Sequence, residues 1–392
     1  MDFDFFMPVR VLSGENIISK SADFIFSFGR KCGIVTGRTS AKRSGALSDV
    51  LKVFESEGIE YIIYDKITEN PLISSCREAG VLFSENGVDF IFGIGGGSAL
   101  DAAKAVAIYA SNPSLAEEDI YLREYSRQAL PVLLIGTTGG TGSEVSGVSV
   151  LTNPKTGRKK SISGQDCYAK AVFADSRYNE SMPYSVTVST ALDALSHAVE
   201  GYFTPKCTDI PMMFAEKAIP MLFEALCRLD AVGEEKFDII KDEKNSLFIK
   251  EIHEKLYFGS LYAGMVLNPC GTVFPHPLGY VLTENYGIPH GKACTAFMTE
   301  LTERAYIYEK EKCEKLFSLL MTDKASFCAV IERLTNLPEI RMTQAEIDDY
   351  CSRWGNVTVK NFVSTPGGFS KSDAEKIFIS RFLSRNNEKT HA

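Results

Sequence analysis

Histidine is rare in this sequence, and three of its five histidines stand beside residues that suit a metal-binding role. Asp193 and His197 are four residues apart, so on a helix they would share one face. His276 follows a proline, and His290 lies between a proline and a glycine. Imidazole nitrogens and a carboxylate form a donor set that suits Zn²⁺ or Fe²⁺. The spacing alone leaves two other interpretations open, a hydrogen-bonded pair on a helix surface and two polar loop residues.

Two glycine-rich segments could bind the phosphates of a nucleotide. Residues 95–97, Gly-Gly-Gly, end an apolar run and precede a segment with helical spacing, so free N–H groups at a helix start would face a phosphate. A second segment, residues 136–144, follows the next apolar run, as the second wall of one cleft would. Two such loops in succession favour a phosphate or dinucleotide site over two tight turns without a ligand. Ser98 takes the third glycine position after Gly93 and Gly95, which disfavours an ordinary Rossmann dehydrogenase.

The elements that would position these loops alternate between short apolar runs and amphipathic segments. Five runs predict strands, at 32–36, 61–64, 90–94, 132–135 and 171–175. Three segments predict helices, at 40–57, 71–85 and 99–110. This rhythm predicts an α/β domain with a parallel, Rossmann-like sheet covered by helices, and the turn at 153–157 predicts a polar hairpin beside it.

The second half of the chain carries apolar residues at helical spacing only. Helices are predicted at 185–203, 210–229, 244–267, 293–308, 311–321, 323–335, 343–354 and 372–383. We therefore predict two domains, a nucleotide-cofactor-binding α/β domain over 1–180 and an all-helical metal-binding domain over 181–392.

Composition narrows the class of protein. The 392 residues carry 42 Lys plus Arg and 50 Asp plus Glu, a net charge of −8 with no basic tract, which argues against nucleic acid as a partner. No apolar run approaches the ~20 residues of a membrane helix. The ten cysteines are scattered and contain no C-x-x-C pair, as expected for reduced thiols in a cytoplasmic enzyme.

Four motifs, in order along the chain, resemble those of the iron-containing (group III) alcohol dehydrogenases, in particular a butanol-dehydrogenase-like branch. They are GGGSALDAAK at 95–104, TGSEV at 141–145, DALSH at 193–197, and HPLG with PHG at 276–279 and 289–291. The resemblance covers nearly the whole chain and implies the two-domain architecture that dehydroquinate synthases share. In that family one Asp and three His hold the metal, which here implies Asp193, His197, His276 and His290 as ligands.

The resemblance also implies a set of cofactor-binding residues. The pyrophosphate would lie on Gly96, Gly97, Ser98, Thr137 and Thr138. Further cofactor-lining positions and motif residues are Asn70, Asp101, Thr141, Ser143 and Lys159.

Two positions depart from the family pattern. Tyr280 stands where many members carry a second histidine, which leaves a proton-relay role to this tyrosine or to water and the cofactor ribose. Gly37, followed by Arg38 and Ser40, stands where NAD-specific members carry an Asp. That Asp would bond the ribose 2′-hydroxyl and repel a 2′-phosphate, so its absence favours NADP(H) over NAD(H).

The implied reaction is hydride transfer between NAD(P)H and a small aldehyde or primary alcohol, with Fe²⁺ or Zn²⁺ polarising the carbonyl group. The resemblance also implies a homodimer or a higher homo-oligomer. Two alternatives stay open. The first is a zinc-dependent glycerol dehydrogenase or a dehydroquinate-synthase-like enzyme, and the second is a nucleotide-binding sensor without catalysis.

Overall fold

The computed structural model describes residues 3–242, 246–355 and 357–384. Its strands are β1 (Arg10–Ser13), β2 (Lys31–Gly37), β3 (Glu60–Ile67), β4 (Phe90–Gly95), β5 (Val132–Gly136), β6 (Val148–Thr152), β7 (Lys159–Ser163) and β8 (Ala171–Ala174). The main sheet has six parallel strands in the order β1-β8-β5-β4-β2-β3, and an antiparallel pair, β6 and β7, lies beside it.

Helices cover both faces of this sheet. They are α1 (Ile17–Lys20), α2 (Ala22–Phe26), α3 (Ser40–Arg43), α4 (Ala46–Glu57), α5 (Ile73–Glu85) and α6 (Gly97–Ser111). Short 3₁₀ turns stand at Glu118–Leu122, Ser143–Val145, Gln165–Cys167 and Ser176–Asn179. Side chains alternate along each strand: Phe90 and Phe92 pack in the layer that contains α4, and Ile91 packs in the layer of α5 and α6. The sheet is thus buried on both faces, as its continuous apolar strands predict.

All five predicted strands and the predicted hairpin are confirmed, and β1 is an addition. The sequence signal of β1 is weak because the strand is four residues long, half exposed, and paired only with β8. The helix predicted over 40–57 is two helices, α3 and α4, because Gly45 takes a left-handed conformation (φ 83°) between them.

Beyond residue 183 the described chain is helical. Its helices are α7 (Tyr184–Phe203), α8 (Asp209–Asp242), α9 (Leu247–Cys270), α10 (Pro275–Tyr286), α11 (His290–Thr295), α12 (Met298–Tyr308), α13 (Lys310–Leu319), α14 (Lys324–Thr335), α15 (Gln344–Ser352), α16 (Lys360–Val363) and α17 (Lys371–Phe382). Their apolar faces form one core that is built only from residues of this half.

Two of the helix predictions for this half differ from the structure. The helix predicted at 210–229 continues to Asp242, interrupted at Gly233 (φ 70°). The helix predicted at 293–308 is α11 and α12, and the first two residues of the one predicted at 244–267 lie outside the described ranges. The sequence analysis missed α10 because its first turn contains Pro275 and Pro277, where proline costs no intrahelical hydrogen bond.

The sheet and the helical part meet closely. The last sheet strand ends at Ala174 and α7 begins at Tyr184, so the predicted boundary at 180 falls in the connection between them. Tyr257, Leu261 and Met265 of α9 pack into the core of the sheet domain. Within the described ranges, no helix combines the length and apolar character that a bilayer span needs.

Candidate metal and cofactor site

Helix α7 carries the first half of the site. Asp193, His197 and Glu200 follow one another at intervals of four and three residues, so all three lie on one face of the helix. All three are buried, with relative exposures of 5%, 6% and 0%. An unpaired buried carboxylate is costly, so this face requires partners from neighbouring helices.

Three imidazoles converge on the Asp193 carboxylate. The Nε2 atoms of His197 and His290 each lie 3.8 Å from Asp193 Oδ1, and that of His276 lies 3.9 Å from it. These distances are too long for hydrogen bonds. Donor atoms around one tetrahedral ion, with bonds of about 2.0–2.3 Å, lie roughly 3.3–3.7 Å apart, which is close to the observed spacing.

Three atoms of this cluster lack a hydrogen-bond partner among the described residues. They are Asp193 Oδ1, His197 Nδ1 and His276 Nε2, and all three are buried. Such groups are rare in folded proteins unless a ligand or an ion satisfies them. One carboxylate oxygen with imidazole nitrogens around it is a donor set that a divalent transition metal fits.

The pKa values of the three imidazoles shift in different directions. Burial lowers the pKa of His290 to about 4 and lowers that of His197 as well, so these two rings are neutral and keep a free lone pair near pH 7. Burial also acts to lower the pKa of His276, but Cys294 and Glu200 outweigh it and raise that pKa above its ordinary value. Burial alone would raise the pKa of Asp193, but the three neighbouring imidazoles outweigh it and hold that pKa below its ordinary value.

A residue that the sequence analysis did not single out orients one of the imidazoles. Glu200 Oε1 lies 2.6 Å from Nδ1 of His276, and Glu200 Oε2 accepts a hydrogen bond of 2.9 Å from the N–H of Val273. Carboxylates commonly fix a ligating histidine in this way. The signal was present in the sequence, since Glu200 stands one helical turn after His197.

Two glycines allow the three helices to come this close. A Cβ atom on Gly291 would lie 1.9 Å from the carbonyl oxygen of Ser189, so α11 packs directly on the backbone of α7. A Cβ atom on Gly279 would lie 2.9 Å from the Cys294 sulfur, so α10 and α11 are in similarly close contact. His276 and His290 can therefore approach Asp193, because these glycines let the backbones of neighbouring helices lie in direct contact.

A thiol also lies in this cluster. Donor atoms of Asp193, His276, His290 and Cys294 all lie within 4.8 Å of one another. His197 is nevertheless adjacent, because its ring stacks on that of His276 at 4.8 Å between centroids.

Tyr280 lies next to the same cluster. Its ring stacks on that of His290, with 5.3 Å between centroids and an interplanar angle of 11°. The ammonium of Lys159, at the start of β7, lies 5.9 Å from the centre of the Tyr280 ring. The polar hairpin of β6 and β7 thus reaches from the sheet domain to the group of Asp193, His197, His276 and His290, which we call the metal-type cluster.

The predicted cofactor residues lie along the carboxyl edge of the sheet. Gly95 and Gly136 are paired at the ends of β4 and β5, and the Thr137 N–H donates to the Gly95 carbonyl at 2.9 Å. A Cβ atom on Gly96 would lie 3.2 Å from Thr138, so the two loops form adjacent walls. The buried hydroxyl of Thr137 has no partner within the described part of the chain. Thr137 lies beside Gly95, just before α6 begins, and the free backbone N–H groups at a helix start favour a phosphate there.

Other predicted cofactor residues surround these walls. The Asn70 N–H donates to Ser98 Oγ at 3.3 Å, and a Cβ atom on Gly97 would lie 2.6 Å from Thr141 Oγ1. Gly37 ends β2 on the same edge, and Arg38 beside it is exposed. Ser40 approaches Gly95, since its hydroxyl would lie 3.5 Å from a Cβ atom there.

The side chains of Asp101 and Ser143 are joined by a hydrogen bond. Ser143 Oγ donates to Asp101 Oδ1 at 2.5 Å, and Asp101 Oδ2 accepts from the Val150 N–H at 2.9 Å. The buried ammonium of Lys104 donates to Ser143 Oγ at 2.9 Å and to the Val148 carbonyl at 2.6 Å. These bonds join α6 to the hairpin and hold the second glycine loop in place.

Comparison with known proteins covers both parts of the chain. Residues 8–176 match the family model described as iron-containing alcohol dehydrogenase. Residues 187–351 match the model described as Fe-containing alcohol dehydrogenase family, C-terminal. Together these matches span the sheet edge and all the residues of the metal-type cluster.

Individual relatives agree with the family models. Lactaldehyde reductase of Escherichia coli K12 is 30% identical over 266 residues, 67% of this chain and 65% of its own length. Alcohol dehydrogenase 4 of Saccharomyces cerevisiae is 27% identical over 301 residues, 77% of this chain and 75% of its own. The crystal structure of an iron-containing alcohol dehydrogenase from Thermotoga maritima superposes with a TM-score of 0.84 at 31% identity, covering 97% of this chain and 99% of that one.

Proposed function

The chain belongs to the iron-containing alcohol dehydrogenase family and is a metal-dependent oxidoreductase acting on CH–OH groups, and we propose that its metal is held by Asp193, His197, His276 and His290. The observation that carries this proposal is the convergence of three Nε2 atoms on Asp193 Oδ1 at 3.8–3.9 Å. The substrate would be a small aldehyde in one direction and a small primary alcohol in the other.

The nicotinamide cofactor would bind along the sheet edge of residues 1–180, and residues 181–392 would supply the metal site. The unpaired Thr137 hydroxyl and the backbone N–H groups at the start of α6 support a pyrophosphate position there. Gly96, Gly97, Ser98 and Thr138 would complete it.

We propose that the enzyme prefers NADP(H) to NAD(H). Gly37 ends β2 with no carboxylate, so nothing at this position would repel a 2′-phosphate. Arg38 is exposed beside it, and no ion pair of this guanidinium occurs within the described ranges. A free guanidinium and the Ser40 hydroxyl are groups that suit a phosphate.

The protein's own side chains would position the reaction. When bound, a divalent ion supplies Lewis-acid polarisation of a carbonyl group and the nicotinamide supplies hydride. Glu200 fixes the His276 ring so that its Nε2 faces Asp193. Tyr280, half-buried and stacked on His290 with the Lys159 ammonium near its ring, is the side chain we propose for holding the proton that the alkoxide oxygen receives.

Two further properties belong to this proposal. All ten cysteines are free thiols, which supports a reducing compartment such as the cytoplasm. We also propose that the enzyme acts as a homodimer or a higher homo-oligomer.

The test is to purify the full chain without oxygen, measure its metals, and follow NADPH and NADH oxidation with a panel of aldehydes. We expect about one Fe or Zn per chain and faster turnover with NADPH. The Asp193→Ala variant should lose both the metal and turnover. Full metal content and full turnover in that variant would refute the ligand assignment, and faster turnover with NADH would refute only the cofactor preference.

A further inference from the structure

Two cysteines meet at the end of helix α7, away from the metal-type cluster. Cys207 follows α7 in the chain, and Cys270 is the last residue of α9. Both are free thiols, with relative exposures of 5% and 1%. The Cys207 thiol donates a hydrogen bond to the sulfur of Cys270.

The fold brings these two thiols together through the end of α7. The Thr204 N–H donates to the Gly201 carbonyl at 3.2 Å, and the Cys207 N–H donates to the Thr204 carbonyl at 3.1 Å, so two successive turns fold the chain back on the helix. On the other side, a Cβ atom on Gly201 would lie 3.6 Å from Cβ of Cys270. The packing of α9 on α7 therefore fixes the two sulfurs side by side.

The surroundings of Cys270 favour its thiolate form. Cys207 is the main cause that lowers the pKa of the Cys270 thiol, and the Thr204 hydroxyl acts in the same direction. The ammonium groups of Lys206 and Lys312 lower this pKa further, against the effect of burial. The two residues before Cys207 are exposed, so a small oxidant needs to cross little protein to reach the pair. A thiolate beside cations and near the surface is typical of a reactive cysteine.

The segment after Cys270 leads directly to the proposed metal site. Val273 and its two neighbours in the chain each hydrogen-bond to another part of the fold, so the segment has little slack. The Val273 N–H donates to Glu200 Oε2 at 2.9 Å, and Glu200 Oε1 lies 2.6 Å from Nδ1 of His276. A displacement of Cys270 would therefore reach the carboxylate that orients His276.

We propose that Cys207 and Cys270 form a reversible disulfide when they are exposed to a peroxide, and that this disulfide weakens metal binding. The second part rests on the proposed function, since it concerns the same metal ion. The Cys270 thiolate attacks the peroxide, and the O–O bond breaks to give a sulfenic acid and hydroxide. The Cys207 sulfur then attacks the sulfenic sulfur, its proton leaves with the displaced hydroxide as water, and the S–S bond forms. In total, two thiols lose two electrons and two protons, and one hydrogen peroxide becomes two waters.

The effect on the metal follows from the length of the new bond. An S–S bond measures about 2.0 Å, which is shorter than any hydrogen bond between two sulfurs, so the end of α9 must shift toward Cys207. Val273 lies three residues further along and would move with it. The bond between Val273 and Glu200 would then stretch, and the His276 ring would lose part of its support.

Mass spectrometry of the full-length, zinc-loaded protein tests the disulfide. Zinc is used because it has no redox chemistry of its own. After treatment with hydrogen peroxide and alkylation of the remaining thiols, we expect peptides joined through Cys207 and Cys270, and dithiothreitol should separate them. Cys207→Ser should prevent this cross-link, and Cys270→Ser replaces it if that variant does not fold. The matched control is Cys351→Ser, which changes a fully buried thiol in α15 and should leave the cross-link intact.

Zinc affinity gives the second readout. Competition with a chelator of known affinity, after the peroxide has been removed, should show zinc binding at least about tenfold weaker in the oxidised protein, the size of change that altering the partners of a ligating histidine produces. Dithiothreitol should restore the affinity. Peroxide should not weaken zinc binding in Cys207→Ser, although this variant keeps the other nine cysteines.

The outcomes separate this inference from the function beneath it. Sulfinic acid at Cys270 without a cross-link, or cross-links between other cysteines only, would overturn the disulfide and leave the proposed enzyme standing. A Cys207–Cys270 cross-link with unchanged zinc affinity would overturn its effect on the metal. Failure of the reduced protein to bind zinc would instead overturn the proposed metal site, whether or not the cross-link forms.

Discussion

Glu200 Oε1 lies 2.6 Å from Nδ1 of His276, and this contact joins two helices through the metal-type cluster. Both residues are buried, at 0% and 3% relative exposure. Ser196 Oγ donates to the same carboxylate oxygen at 2.5 Å, and the Val273 N–H donates to the other oxygen at 2.9 Å. The carboxylate therefore fixes both the ring of His276 and the segment that leads into α10.

Glu200→Gln should weaken metal binding about 10–100-fold, because the amide keeps the size of the side chain but loses the charge that holds the imidazole. A zinc titration against a chelator of known affinity measures the change. Glu224→Gln is the matched control, since Glu224 pairs with Lys255 on the surface at 2.7 Å and should leave zinc affinity unchanged. An unaltered affinity in Glu200→Gln would show that His276 needs no carboxylate for its orientation.

The cofactor preference can be reversed at one position. Gly37→Asp should lower kcat/KM with NADPH at least about tenfold while sparing NADH, because two like charges about 4 Å apart repel by more than the 1.4 kcal/mol that tenfold requires. The side chain fits, since a Cβ atom on Gly37 would lie 3.2 Å from the Ile67 carbonyl oxygen and a small shift relieves that contact.

Gly37→Asn separates charge from size in this experiment. The amide has the shape of the aspartate but no charge, so it should retain most of the activity with NADPH. Equal losses in the two variants would mean that the space at Gly37, rather than the missing carboxylate, determines the preference.

The sequence predicted the sheet well because buried parallel strands are continuous apolar runs, as in β4 and β5. It did not predict β1, where half-exposed residues leave no apolar run. It also missed α10. Proline and glycine are typical of loops, and the sequence does not show that Pro275, Pro277 and Gly279 lie in the first turns of a helix.

The site was predictable only as a list of residues. The spacing of Asp193 and His197 indicated one helix face, but their approach to His276 and His290 depends on how α7, α10 and α11 cross. That crossing is a tertiary property, set by contacts such as the one at Gly291. Cys294 was missed for the same reason, since nothing in a lone cysteine shows which imidazole it will contact.

Gly291→Ala should displace His290 from Asp193 and release the metal. A methyl group there would lie 1.9 Å from the Ser189 carbonyl oxygen, so α11 must move away from α7. Overpacking of this kind costs about 1–3 kcal/mol of stability. The metal content of the purified variant and its thermal unfolding midpoint measure the two effects.

The Gly80→Ala variant is the matched control for overpacking. Its methyl group would lie 2.4 Å from Cβ of Tyr109 in the sheet domain, so it should lower stability but keep the metal. Metal retained in Gly291→Ala, or lost equally in both variants, would contradict the positioning role of Gly291.

A buried carboxyl group at the second glycine loop should make stability depend on pH. Glu144 is 5% exposed, its Oε2 has no partner among the described residues, and burial raises its pKa to about 7 from an ordinary 4.5. The folded protein therefore holds this proton more tightly than the unfolded chain. Its contribution to stability is complete below about pH 4.5 and is lost as pH rises through about 7.

Glu144→Gln removes that titration, so the variant should gain stability relative to the wild-type protein between pH 5 and pH 8, by about 3 kcal/mol at most, since each pKa unit corresponds to about 1.4 kcal/mol. Thermal unfolding midpoints of both proteins across this range measure the gain. Glu118→Gln is the control, because Lys155 lowers the pKa of that exposed carboxylate and its removal should produce no gain toward high pH. A constant difference between Glu144→Gln and the wild-type protein at every pH would mean that Glu144 is ionised in the fold, with its charge balanced by the Lys104 ammonium.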